Sequence, residues 1–119
     1  MNGIELIAAE RARQIEKEGW TPEHDDQHEP EELELAAACY AMPPKHRGLK
    51  LVAHHYAYDE YGHAEFVPAV GVPTLWPWEG RWWKPGPTRD RDLAKAGALA
   101  AAALDLRMRL EVAESEVGE

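Results

Sequence analysis

The sequence predicts a mainly α-helical fold: a three-helix bundle-like domain with a long Pro/Trp-rich insertion that can hold a β-hairpin. Three observations predict it. Helix-start signals open three stretches whose apolar or alanine residues recur at helical spacing, glycine or proline closes the first two, and the segment between the second and third has no helical period. At 119 residues the chain fits one domain. Its parts are a helical stretch 1–42, an insertion and Trp-rich loop 43–87, and a C-terminal helix 88–119.

Asn2 and Glu5 have the spacing of a capping box. They open a first helix from about Gly3 to Lys17, which Gly19 ends. Ile4, Ile7, Ala8, Arg11 and Ile15 share one face and are its expected inner side. Glu10, Arg13, Gln14 and Lys17 form the other face, expected to be solvated and laced by pairs three and four apart. Thr21-Pro22-Glu23 reads as an N-cap, a first-turn proline and an acidic residue suited to the helix dipole, starting a short turn that holds His24 to His28.

Pro30-Glu31-Glu32 opens the second main helix, with Leu33, Ala36, Ala37 and Tyr40 along one side and a stop before Pro43-Pro44. The insertion is too long for a plain connection and should hold structure of its own. Leu51 to Tyr58 and Ala64 to Val72 read as hairpin strands around Asp59-Glu60-Tyr61-Gly62, with Pro68 confining the second to an edge. Thr88 caps a last helix from about Arg89 to Glu114. Its expected packing seam is Leu93, Gly97, Ala100, Leu104 and Met108, and its many alanines keep it thin enough for a tight bundle or a subunit interface. A homo-oligomer is expected on that ground.

Lys plus Arg total 13 against 22 Asp plus Glu, a formal charge of −9 that repels duplex nucleic acid and anionic lipid. No apolar run approaches the length needed to span a bilayer, and no leader-like segment opens the chain. The single cysteine, Cys39, lies in an alanine run and reads as a buried thiol of a reducing compartment. A cytoplasmic location is expected, with no membrane partner.

Four of the five tryptophans, Trp76, Trp78, Trp82 and Trp83, fall in the Pro-flanked segment before the last helix. Such a segment can neither continue a helix nor enter a sheet interior, so the indoles must plug a core or face a ligand. Burial for structure is the commoner fate of any single tryptophan. Here Arg81, Lys84, Arg89 and Arg91 stand beside the indoles, and the helix amides after Thr88 form an anion site, so stacking and phosphate pairing are offered together. A nucleotide satisfies all three features.

His24-Asp25-Asp26-Gln27-His28 places two imidazoles four apart with carboxylates between them. That spacing can hold Mg2+ or another divalent metal through His24, Asp25, Asp26 and His28, and it equally suits a capped polar turn. His54, His55 and His63 could add remote ligands, with His54 and His55 on opposite faces of a strand. No nucleophilic triad, nucleophile elbow or phosphate-binding glycine loop occurs. No cofactor is required by these residues.

The stretch Glu10 to Thr21, the His24 to His28 cluster, and the tryptophan segment leading into Arg91-Asp92-Leu93-Ala94-Lys95-Ala96-Gly97-Ala98-Leu99 together resemble a family of small uncharacterised phage and prophage proteins. The segment from about Pro43 to Val72 lies outside that resemblance. Glu10 to Trp20 is also similar, more weakly, to the opening helix of phage-encoded MazG-like nucleotide pyrophosphohydrolases, which are helical, oligomeric and magnesium dependent. Their metal site pairs a Glu-Glu-x-x-Glu helix with a later Glu-x-x-Asp. Here Glu31, Glu32 and Glu34 are followed by Leu35 at the third glutamate, and Asp92 by Lys95 at the aspartate. The resemblance therefore implies a shared fold whose hydrolytic site has been lost or rebuilt.

The leading expectation is a phage accessory protein, in the host cytoplasm, that binds a small nucleotide or nucleotide-derived signal and sequesters it from host defence. The expected contacts are Arg13, Gln14, Trp20, His24, Asp26, His28, Trp76, Trp78, Trp82, Trp83, Lys84, Arg89 and Arg91. The alternatives are a metal-dependent nucleotide hydrolase and an inhibitor that docks on a host protein through its tryptophans.

Overall fold

A computed structural model describes residues 1–48, 50–51, 55–58, 60–67 and 71–117, with backbone alone at 50–51, 55–58, 64–67 and 117. The chain runs α1 (Gly3–Glu18), α2 (Pro22–Asp25), α3 (Pro30–Ala41), a 3-10 turn at Pro44–His46, β1 (Lys50–Leu51), β2 (His55–Tyr58), β3 (Ala64–Val67), β4 (Gly71–Val72), a second 3-10 turn at Gly80–Trp82, and α4 (Arg89–Val117). It is mainly helical.

Local chemistry accounts for the helix bounds. The Asn2 side chain accepts from the Glu5 amide at 2.9 Å, and the Glu5 carboxylate accepts from the Asn2 amide at 3.3 Å, closing the capping box. Gly19 ends α1 at φ 71°, a left-handed position that glycine occupies without a Cβ penalty. Thr21 Oγ accepts from the His24 amide, and Pro22 opens α2. Pro30 opens α3, where the Glu32 carboxylate accepts from the Glu29 amide at 3.1 Å. The helix stops at Ala41, ahead of Pro43.

In the insertion, β2 pairs antiparallel with β3, His55 opposite Val67 and Tyr58 opposite Ala64, while β1 pairs antiparallel with β4. The hairpin expected over 51–72 is present as these two short ladders. Its Asp59 turn and Pro68 edge, and the His54 half of the two-faced histidine pair, lie outside the described residues.

The core sits between α3 and α4, with α1 laid on the other side of α4. Leu33, Ala36, Cys39, Leu99, Ala102 and Leu106 are its innermost members, and Trp76 closes one end. Burial raises the pKa of the Cys39 thiol, as befits an inert packing group. Among the described residues, no helix is long and apolar enough to cross a membrane.

Two helix faces differ from expectation. On α1 the buried residues are Glu10 and Gln14, from the side expected to be solvated, while Ile4 is 81% exposed. Burial of Glu10 is tolerated because Arg13 meets it at 2.6 Å and Arg91 at 3.1 Å. On α4 the expected seam is turned outward: Leu93, Leu104 and Met108 are exposed, and Ala96, Leu99, Ala102, Ala103 and Leu106 face the core. Alanines let α3 approach α4 closely, so the small-residue side wins the interior. Gly97 of that seam meets a neighbour closely, since a Cβ there would lie 2.5 Å from Ile7 Cδ1.

Candidate functional site: an aromatic cavity

The loop from Trp76 to Lys84 folds back over α1, α2 and the α3/α4 core and encloses a cavity of about 770 Å³. Its walls are Trp20, Tyr40, Trp76, Trp78 and Trp82, and its polar lining is Arg13, Gln14, Glu18, His24, His28, Glu79, Lys84 and Lys95. The volume lies within the usual range for small-molecule sites, roughly 300–1,000 Å³.

Three backbone ties hold the loop. Tyr40 Oη donates to the Lys84 carbonyl at 3.3 Å and accepts from the Lys84 amide at 3.2 Å, joining the loop to α3. The Lys95 ammonium donates to the same carbonyl at 2.7 Å, joining it to α4. The indole N–H of Trp76 donates to the Glu79 carbonyl at 3.1 Å, closing the turn on itself. Burial, the largest influence on Tyr40, pushes its phenol up to about 12. Burial also lowers Lys95, with the nearby Arg91 charge acting in the same direction.

The aromatic walls brace one another. Trp78 meets Trp76 edge-on at 5.3 Å and Trp20 edge-on at 5.8 Å, and the imidazole of His28 lies 5.4 Å from it. His24 stacks on Trp20 with ring centroids 5.7 Å apart. Trp82 stands at the rim, 52% exposed, between the Arg81 guanidinium and the Lys84 ammonium.

Gln14 Oε1, on a residue only 4% exposed, and Trp78 Nε1 are buried polar atoms of lining residues without a hydrogen-bond partner. One is an acceptor and the other a donor. Leaving such atoms desolvated costs about 1–3 kcal/mol each, and a ligand that pairs with them recovers it. His24 Nδ1 and Asp25 Oδ1 are also buried without hydrogen bonds, 3.7 Å apart.

The structure thus brings Arg13, Gln14, Trp20, His24, His28, Trp76, Trp78, Trp82 and Lys84 to one cavity and leaves the other expected contacts outside it. Trp83 packs on the core, 4.6 Å from Tyr40 and under the Arg47 guanidinium. Arg89 donates to the carbonyls of Tyr40, Ala41 and Met42, finishing α3 where Pro43 leaves its last acceptors open. Arg91 turns to Glu10 instead of the tryptophans. Asp26 faces away and takes the Arg109 guanidinium at 2.8 Å. At the start of α4, Thr88 Oγ accepts from the Arg91 amide, and Asp92 accepts from the Gly86 amide, ahead of the helix, at 2.6 Å. Helix amides there do not serve the cavity.

The expected metal cluster does not converge. Asp25 is held by Arg11 at 2.8 Å, Asp26 by Arg109, and His28 by Glu32 at 3.1 Å, so three of the four side chains have partners outside the cluster, while His24 Nδ1 lies 3.7 Å from Asp25 Oδ1. Among the described residues no group of three or more His, Cys, Asp or Glu is placed to hold a metal ion. The arrangement supplies stacking faces, imidazole edges, an amide and two lysines, which suit binding.

Sequence reasoning missed Tyr40, Lys95, Glu18, Glu79, Pro77 and Leu99 as lining residues. Lys95 was singled out only for opposing a metal. Its place three residues after Asp92 on an otherwise alanine-rich stretch was the available signal. No protein-family model, curated protein or solved structure matches the chain, so the resemblances rest on its motifs alone.

Proposed function

We propose that this is a phage accessory protein that binds a small nucleotide or nucleotide-derived signal in the aromatic cavity and sequesters it. The observation that carries the reading is the pair of buried, unpartnered polar atoms, Gln14 Oε1 and Trp78 Nε1, on two residues that line a cavity walled by indoles. A nucleobase offers a flat face for stacking and adjacent donor and acceptor atoms on its edge for such a pair. The phage setting and the sequestering role come from the sequence resemblance. Binding is favoured over hydrolysis because the carboxylates of the His-Asp cluster are taken by arginines. It is favoured over docking on a host protein because Trp76 is buried, and Trp20 and Trp78 half-buried, around a concavity.

A homo-oligomer belongs to the same reading. The α4 helix of 29 residues outruns the 12-residue α3, and its outward Leu104 and Met108 are 59% and 55% exposed. A second copy is the occupant we assign to that stripe.

The test is mass spectrometry of a nucleotide panel incubated with excess protein and Mg2+, before and after heat release. A compound that leaves the free pool and returns intact supports the reading, and Gln14→Leu should retain less than about a tenth of it while keeping full helical circular dichroism. Return as a smaller product would replace binding with hydrolysis. An unchanged panel would overturn the reading in favour of a protein partner.

A further inference from the structure

Resting on the nucleotide reading above, we infer that the cavity selects nucleotides of low charge, a single phosphomonoester or phosphodiester, and discriminates against triphosphates. The charge accounting of the lining carries this. Arg13 is already committed, its Nε and Nη2 to Glu10 and its Nη1 to Glu18 at 3.1 Å. Its guanidinium is pushed further up by the Glu10 hydrogen bond and by both carboxylates. Each of its three nitrogens spends an N–H on a carboxylate, and its charge is already matched by Glu10 and Glu18 before any phosphate arrives.

Two lysines then remain as fixed cations in the lining. Lys95 reaches in from α4, tied to the Lys84 carbonyl, and Lys84 stands 5.6 Å from the Trp82 ring centroid at the mouth. The carboxylates of the same lining, Glu18 and Glu79, are each paired with an arginine at 3.1 Å, Glu18 with Arg13 and Glu79 with Arg81, and add no cation to the site. The cations that would extend a phosphate site are spent elsewhere: Arg89 on the end of α3, Arg91 on Glu10, and Arg81 on Glu79 at 3.1 Å. The start of α4, at Thr88 and Asp90, is not part of the cavity lining, and Thr88 takes the Arg91 amide there. One phosphate can sit between Lys84 and Lys95. Each further phosphate finds no unpaired cation among the described lining residues and adds negative charge to a chain of net charge −9. Aromatic area thus supplies the affinity, and the polar set caps the charge that comes with it.

The experiment is calorimetric titration at mildly alkaline pH, without divalent metal, of the nucleoside, 5′-monophosphate, 3′,5′-cyclic monophosphate and triphosphate of each common base. The expected result is that a mono- or cyclic phosphate of the preferred base binds at least about 10-fold tighter than both its nucleoside and its triphosphate. Lys95→Met should erase the gain over the nucleoside, and Glu18→Gln, at an exposed position, should narrow the gap to the triphosphate. A triphosphate that binds as tightly as the monophosphate, or a nucleoside that does, overturns the charge selection and leaves the nucleotide reading standing. Failure of every base in every form overturns both.

Discussion

On the inward side of α1 and α4 lie Glu10, Gln14 and Lys95; on the outward side lie Ile4, Leu93, Leu104 and Met108. A surface helix of an ordinary globular protein shows the reverse pattern. The inward polar groups are tolerable because Glu10 has two arginines and Lys95 has a carbonyl, yet Gln14 is left with an open acceptor. The outward apolar groups have no comparable compensation within the chain. Each face departs from the usual pattern where something outside the chain would complete it, a ligand on one side and a second copy on the other in the reading proposed above.

The strongest way to break the comparison is to remove the wall that both the core and the cavity share. Trp76→Ala should cost about 3–5 kcal/mol in chemical denaturation, because the indole packs on Tyr40, Trp78 and Trp83 and closes the core. A loss under about 1 kcal/mol would show that the inner face does not depend on this plug.

A smaller effect comes from Tyr40, whose phenol titrates at about 12 in the fold against an ordinary 10.0. Between those values the unfolded chain gives up the proton and the folded chain keeps it, so stability falls as pH rises from about 10 toward about 12, by about 1–2 kcal/mol. Urea midpoints measured across that window should drop, and Tyr40→Phe should drop less. Equal slopes for the two proteins would assign the loss to other groups.

Least affected in stability should be the outer stripe. Leu104→Gln with Met108→Gln should shift unfolding by no more than about 0.5 kcal/mol per site, since both side chains are more than half exposed. The same pair should convert the wild-type assembly to a monomer in light scattering and leave nucleotide binding intact. A wild-type monomer would remove the second copy from the reading and leave the outward apolar residues as ordinary exposed surface.

The starts of the main helices were legible in the sequence, because start signals act through neighbours a few positions away, whereas α4 runs on to Val117 past the expected Glu114 and α2 ends at Asp25, short of His28. Asn2 with Glu5, Gly19, Thr21-Pro22, Pro30 and Pro43 each set a boundary by satisfying or denying local backbone bonds. The Trp-rich loop was legible as a place where indoles gather, since proline excludes it from regular elements. Orientation was not. An alanine-rich α4 carries two stripes of helical period, and only the approach of α3 selected the smaller one. On α1, Ile7 and Ile15 concealed that Glu10 and Gln14 would turn inward, an outcome that required Arg91 from far along the chain and the cavity itself. Arg89 and Arg91 read as phosphate ligands by proximity in sequence, yet the tertiary fold spends them on α3 carbonyls and on Glu10. Tyr40 and Lys95 enter the site only because two helices and a loop meet at the Lys84 backbone. The sequence by itself determined which elements form and where they start, through short-range hydrogen bonding; only the tertiary structure decided which faces are hidden and which charges remain free, because partners for buried polar groups come from distant segments.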